Sequence, residues 1–191
     1  MMKKNSATIK KTNPSSKKKD IKPHKEIERK FLLKRLPKNV IENYVKKLQI
    51  LEIVQYYFFI DNIWQRYRVV NQEGEKTKYI HTKKNTISTG TNYEWEKTVS
   101  KVEFLKKQKE HSKEHAVIHK TRYVIKHKGL KFEIDVFHGM SMVMLEVELP
   151  TLHFQFEYPD GLLEEIVFEA TGMKQFSNFT LALKVNKNEH K

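Results

Sequence analysis

The chain has 191 residues, a net charge of +14 and no cysteine. That length suits one domain of ordinary size with a buried core, and the lack of cysteine excludes disulfides, thiolate catalysis and zinc–cysteine sites and fits a reducing compartment. No apolar run approaches the roughly 18 residues a membrane helix needs, and the basic start lacks a signal peptide's apolar stretch, so a cytoplasmic protein with no membrane partner is expected.

The charge is unevenly spread. Residues 1–25 hold nine lysines and one aspartate, which leaves only +6 on the other 166 residues. Residues 1–24 have almost no apolar content and read as a disordered, lysine-rich tail. Residues 25–191 read as the domain. A basic protein invites a nucleic-acid reading, but a solvated tail accounts for the charge, so nucleic acid is not the favoured partner.

In chain order, Glu26 to Leu33 reads as a strand. Glu26, Glu28 and Lys30 share one face, and Ile27, Arg29 and Phe31 the other. Two carboxylates and an ammonium on one face suit a polar cavity that holds hard cations and a polyanion. Pro37, Ile41, Tyr44, Val45 and Leu48 mark a short amphipathic helix. Ile50–Ile60 and Ile63–Val70 read as strands joined by a hairpin turn at Asp61-Asn62. Trp64, Arg66 and Arg68 share a face. Asn71 to Lys76 is a turn containing Gly74, and Thr77–Lys84 alternates again. Asn85 to Thr91 reads as a turn-rich connection.

Asn92–Thr98 is a strand with Glu94 and Glu96 in phase. Val102 to about His115 reads as a helix burying Val102, Phe104 and Leu105. Val117–Lys126, Leu130–Phe137 and Met142–Leu149 read as strands, with turns at His127-Lys128-Gly129 and Gly139. They carry Lys120/Arg122, Glu133/Asp135 and Glu146/Glu148 in phase. A turn at Pro159-Asp160-Gly161 precedes two expected helices, Leu162–Ala170 and Asn178–Val185. About eight short strands with hairpin turns suggest a sandwich or a closed barrel.

Charged residues at i and i+2 recur on strand after strand, opposite apolar neighbours. An antiparallel sheet with one wet face would also alternate this way. Two features favour a polar lumen instead. The charges are sorted by sign within strands, and few elements are left to supply a second sandwich layer.

The run Glu26-Ile27-Glu28-Arg29-Lys30-Phe31-Leu32 resembles the ExExK signature of the triphosphate tunnel metalloenzymes, the CYTH superfamily. Further signatures follow in order. Arg66-Tyr67-Arg68 resembles its RxR strand, and Lys84 its tunnel lysine, with Lys83 as a neighbouring candidate. Glu94-Trp95-Glu96, Lys120-Thr121-Arg122-Tyr123, Glu133-Ile134-Asp135-Val136-Phe137 and Glu146-Val147-Glu148 resemble the remaining charged strands. Ala170-Thr171-Gly172 with Asn178-Phe179-Thr180-Leu181-Ala182 resembles its C-terminal end. That end lacks the extra lysines near the asparagine found in relatives, although Lys174 is close by. The similarity is to the short bacterial inorganic triphosphatase-like branch.

The resemblance implies a mainly β (α+β) fold: an eight-stranded antiparallel barrel forming a polar tunnel, with a few packing helices. It implies hydrolysis of inorganic tripolyphosphate or a small organic triphosphate with Mg²⁺ or Mn²⁺, by a monomer or homodimer. Lys30, Arg66, Arg68, Lys84, Lys120 and Arg122 would bind substrate. Glu26, Glu28 and Glu148 would hold a first metal, and Glu146, Asp135, Glu94 and Glu96 a second metal or a water. Lys30, Asp135 and Glu146 are the catalytic candidates. The competing functions are a class IV adenylate cyclase and a binding module for polyphosphate or RNA 5′-triphosphate ends. A pure binder would not need so many carboxylates facing a polyanion, because they repel it unless metals intervene.

Three other features stand apart from this set. His111-Ser112-Lys113-Glu114-His115 matches a zinc-protease string, but a solvated lysine-rich helix is the simpler reading. Met140, Met142 and Met144 read as packing residues. Trp64 either stacks on an organic ring or plugs one barrel end.

Overall fold

Strand alternation and tight turns build most of this protein. The computed structural model describes residues 22–112 and 115–188. Of the expected tail, residues 1–21 lie outside the described residues, as do Lys113 and Glu114 of the zinc-protease string. The strands are β1 (His24–Leu33), β2 (Gln49–Ile60), β3 (Ile63–Gln72), β4 (Lys78–Ser88), β5 (Thr91–Val99), β6 (His115–His127), β7 (Leu130–Phe137), β8 (Val143–Glu148) and β9 (Ile166–Glu169). The helices are α1 (Lys38–Asn43), α2 (Lys101–Glu110) and α3 (Asn178–Asn188).

Eight strands close in the order β5–β4–β3–β2–β6–β7–β8–β1, and β1 returns to pair with β5. This is the expected eight-stranded antiparallel barrel. The added strand β9 shares one edge of β1 with β5: β5 pairs His24–Ile27, and β9 pairs Phe31–Leu33. Closure leaves the ring without a free edge to recruit other chains.

Two-residue turns set the register of the longest hairpins. Asp61 and Asn62 both have positive φ (53° and 61°), and Ile60 pairs directly with Ile63. Lys128 and Gly129 (45° and 81°) do the same between His127 and Leu130. Positive φ at both central residues is the hairpin geometry that matches strand twist. With register fixed, period-two alternation sends one side chain inward and the next outward along each strand.

Two of the apolar clusters lie outside the barrel, and a third, in phase with the cavity residues of its strands, fills one end of it. Phe31, Leu33, Ile125, Phe132, Ile134, Leu145 and Val147 are covered by Val40 of α1 and by Leu149 and Leu162. Phe58, Tyr67 and Val99 pack with Phe104 of α2. Leu181 and Ala182 of α3 pack with Tyr57, Ile118, Phe137 and Met144. Each large apolar side chain so buried stabilises the fold by about 1.5–3 kcal/mol.

Four expectations differ from the structure. Leu162–Ala170 is not a helix: a short 3-10 turn over Leu163–Glu165 leads into β9. Its Ile166, Val167 and Phe168 suit a strand, and the edge of β1 supplies the partner. Asn85–Thr91 is mostly strand, because β4 runs to Ser88 and only Thr89 and Gly90 turn. Helix α2 stops at Glu110, so His111 caps its end and His115 opens β6 instead of sharing one helix face. Within α2 only Phe104 is buried, while Val102 (77% exposed) and Leu105 (47%) face solvent.

Candidate active site

Every strand of the ring sends polar or charged side chains into one cavity of about 1020 Å³. From β1 come Glu26, Glu28 and Lys30, and from β3 come Arg66 and Arg68. Lys84 comes from β4, Glu94 and Glu96 from β5, Lys120 and Arg122 from β6, Glu133 from β7, and Glu146 and Glu148 from β8. Lys84, and not its neighbour Lys83, reaches the cavity. Among the residues named from sequence, Asp135 alone does not line it. Asp135 has no solvent exposure and bonds to two of the lining cations.

The side chains form two ion-pair webs. In the first, the Lys84 ammonium lies 2.6 Å from Glu26, 3.0 Å from Glu94 and 3.6 Å from Glu28. Arg66 donates to Glu94 (3.2 Å), and Arg68 donates to Glu96 (3.0 Å). The Thr82 hydroxyl accepts from Arg66 and donates to Glu96, both at 3.1 Å. In the second, Arg122 grips Asp135 through Nε (2.6 Å) and Nη2 (2.7 Å). It also donates to Glu146 at 2.6 Å and pairs with Glu133. Lys120 pairs with Asp135 at 2.6 Å, and Lys30 with Glu146 at 2.7 Å.

The carboxyl groups respond differently to this setting. Burial pushes Glu26 up to about 7, helped by Glu28 and Glu94 and opposed by Lys84. Burial also works against ionised Glu146, yet Lys30, Arg122 and Lys120 overcome it and hold that carboxyl well below the usual range. Lys30 and Lys84 are raised, because their carboxylate partners outweigh burial. Lys120 is lowered, by burial and by Arg122, against the pull of Asp135.

These donors fit a divalent cation. They are carboxylate oxygens, the ligands that hard cations select. Burial and the neighbouring Glu28 and Glu94 raise Glu26, which a cation would reverse. Among the described residues, no three carboxylates or histidines stand close enough to hold one ion as they are placed. Lys84 occupies the middle of the Glu26, Glu28 and Glu94 group.

Lys131 and Gln55 line the cavity and escaped the sequence reading, whereas Asn178, Lys174 and Trp64 were named there without a settled role. Lys131 pairs with Glu148 at 3.0 Å, and its phase with Glu133 was a usable signal. Gln55 donates to the Tyr57 hydroxyl at 2.6 Å, and a lone amide in an apolar strand marked it. Asn178, at the start of α3, accepts from Lys120 at 3.4 Å. Lys174 lines the cavity. Trp64 lines it too, with its ring centroid 4.8 Å from that of Phe179 of α3. Met144 packs in the core, as expected of it.

Comparison with known proteins agrees with this architecture. A curated inorganic triphosphatase of Acetivibrio thermocellus is 32% identical over 174 residues, covering 86% of this chain and 97% of that protein. The crystal structure of the inorganic triphosphatase NE1496 superposes with a TM-score of 0.50 at 25% identity, covering 83% of this chain and 94% of that one. The PH1819 protein of Pyrococcus horikoshii shares the fold, with a TM-score of 0.53 at 14% identity over 85% and 99% of the two chains. The family model for the CYTH domain matches residues 24–181, most of the described barrel, and the chain belongs to that family.

Proposed function

We propose that this protein hydrolyses inorganic tripolyphosphate and small organic triphosphates in the barrel chamber, with Mg²⁺ or Mn²⁺. The observation that carries the reading is the charge balance of the chamber. Seven glutamates line it and Asp135 stands behind them, against five lysines and three arginines. Such a balanced site holds a polyanion best when extra cations arrive with it. The family relatives that are inorganic triphosphatases support the same reaction.

Arg66, Arg68, Lys84, Lys120, Arg122 and Lys30 would hold the phosphoryl oxygens. The arginine forks match two oxygens at once, and the lysines act as point charges. Glu26, Glu28 and Glu148 would hold a divalent cation, with Glu94, Glu96 and Glu146 available for a second. When bound, such a cation neutralises phosphoryl charge and activates water. The chain's own part is positioning: water attacks the terminal phosphorus in line, and tripolyphosphate leaves as orthophosphate and pyrophosphate. Lys84 would exchange its carboxylate partners for phosphoryl oxygens as the cation takes those carboxylates. Asp135 would keep Lys120 and Arg122 in place. Glu146 does the same for Lys30.

Product analysis with ATP separates this reading from a cyclase. A hydrolase releases orthophosphate from ATP or leaves ATP intact. Pyrophosphate together with cyclic AMP would overturn the proposal.

A further inference from the structure

The barrel wall has an outer face as well as a lumen, and one part of that face is left bare. The alternation that sends Glu94 and Glu96 of β5 inward sends Tyr93 and Trp95 outward. Lys25 of β1 pairs directly across from Tyr93, and Lys83 of β4 directly across from Trp95. Lys83 is the lysine that does not reach the chamber. Next along β5, Lys97 also faces outward and meets Glu103 of α2 at 3.1 Å. Val99 then lies under Phe104 of the same helix. Helix α2 therefore covers that end of the strand, whereas neither Tyr93 nor Trp95 belongs to an apolar cluster.

The bare stretch combines rings with positive charge. Tyr93 is 39% exposed and Trp95 is half-buried. Neither ring stacks or hydrogen-bonds with another described residue. Their two-residue spacing sets them about 7 Å apart along one strand. Lys25 and Lys83 pair with no carboxylate among the described residues. Residues 1–22, tethered to this face where β1 begins, hold eight lysines and one aspartate.

A lysine-rich surface attracts any polyanion. Exposed rings gain only from a partner with flat faces of its own, and inorganic polyphosphate has none. The bases of a single strand are free to stack on such rings, while a duplex hides them in its own stack. We propose that the outer face of β1, β4 and β5 binds single-stranded nucleic acid, with bases on Tyr93 and Trp95 and phosphates at Lys25, Lys83 and the lysines of residues 1–22. The site is separate from the chamber and needs no 5′-triphosphate. It stands whether or not the chamber hydrolyses triphosphates.

Fluorescence anisotropy with the full chain tests it. The probe is a labelled oligothymidylate of about 20 nucleotides, longer than a typical single-strand site, with a 5′-hydroxyl end. It should bind at least about fivefold more tightly than the same strand annealed to its complement, the worth of one stacked base. Tyr93→Ala and Trp95→Ala should each weaken binding about fivefold or more. Tyr93→Phe keeps the ring and should bind like wild type. Replacing Lys25 and Lys83 together by alanine should reduce the slope of log Kd against log salt by about 1.4, for two phosphates no longer neutralised. Arg66→Lys, inside the chamber, should leave binding unchanged. Tyr93→Ala should keep the wild-type melting temperature, which reports an intact fold. The inference is overturned if the single strand does not bind at low salt or if the duplex binds as well. It is also overturned if both alanine ring variants bind like wild type, because lysine charge alone would then hold the polymer. Loss of binding in Arg66→Lys without an effect of the ring variants would put the polymer in the chamber and overturn it too.

Discussion

The Lys120 ammonium stands 2.6 Å from a carboxylate oxygen of Asp135, and neither side chain has appreciable contact with solvent. Arg122 holds both oxygens of the same carboxylate. Breaking a buried pair strands a charge and costs about 3–5 kcal/mol. Asp135→Ala should therefore lower unfolding free energy by about that amount in urea titration, and turnover should fall with it. Wild-type stability in that variant would show that the two cations are positioned by something else.

Glu28 lies in the carboxylate group around Lys84. Its removal should lower kcat on tripolyphosphate by about 100-fold or more, as loss of a metal ligand does, with little change in melting temperature. Raising Mg²⁺ should recover part of the loss. A fully active Glu28→Ala protein would refute the proposed metal assignment.

Arg66→Lys keeps the charge but removes the planar fork. Arg66 uses Nη2 alone on Glu94, Glu96 and Thr82, so a lysine holding those three groups with its single nitrogen would lack the second arm that meets a phosphoryl oxygen. KM for tripolyphosphate should rise about tenfold while the circular dichroism spectrum stays the same. An unchanged KM would place Arg66 outside the substrate contacts.

Gly90 couples a turn to the same site. Its φ is +66°, and an added Cβ would come within 2.8 Å of both the Glu28 carbonyl oxygen and Leu152 Cδ1. The Glu28 amide donates to the Gly90 carbonyl at 2.9 Å. Gly90→Ala should destabilise by more than about 1 kcal/mol and also reduce turnover, since β1 must shift. Differential scanning calorimetry and rate assays on one preparation would check both effects.

His81 gives the fold a pH dependence that does not involve the active site. Its ring stacks on Tyr67 with centroids 4.3 Å apart, and one ring nitrogen lies 2.7 Å from Gln65 Oε1. Burial pushes the imidazole down from 6.5 to about 4, with Lys97 and Lys83 adding to the shift. Between those values the unfolded chain binds more protons than the folded one. The stabilising contribution is thus complete above about pH 6.5 and lost as pH falls toward 4. Melting temperatures of wild type and His81→Gln should converge over that interval. A gap that stayed constant would show that His81 does not titrate there.

Much of this was legible because a strand has a simple period. Glu26, Glu28 and Lys30 had to share a face, and charges of one sign repeated on later strands. Depth was not legible from period alone. Asp135 has the same phase as Glu133, yet only Glu133 reaches the cavity, because two cations close over Asp135. Ile166 to Phe168 looked helical beside its neighbours, and only the vacant edge of β1 makes it a strand. Val102 and Leu105 looked buried by composition, but α2 turns only Phe104 toward the barrel. A smaller cavity of about 290 Å³ beside the chamber left no motif at all. Leu51, Ile53, Val70 and Ile80 are ordinary strand residues until barrel closure brings them beside Arg68.

The most direct measurement is phosphate release from tripolyphosphate with Mg²⁺, repeated after adding excess EDTA. The account expects orthophosphate and pyrophosphate in equal amounts, and near-complete loss of the rate with EDTA that returns with added Mg²⁺. Absence of release with Mg²⁺ or Mn²⁺, or a rate indifferent to EDTA, would contradict it.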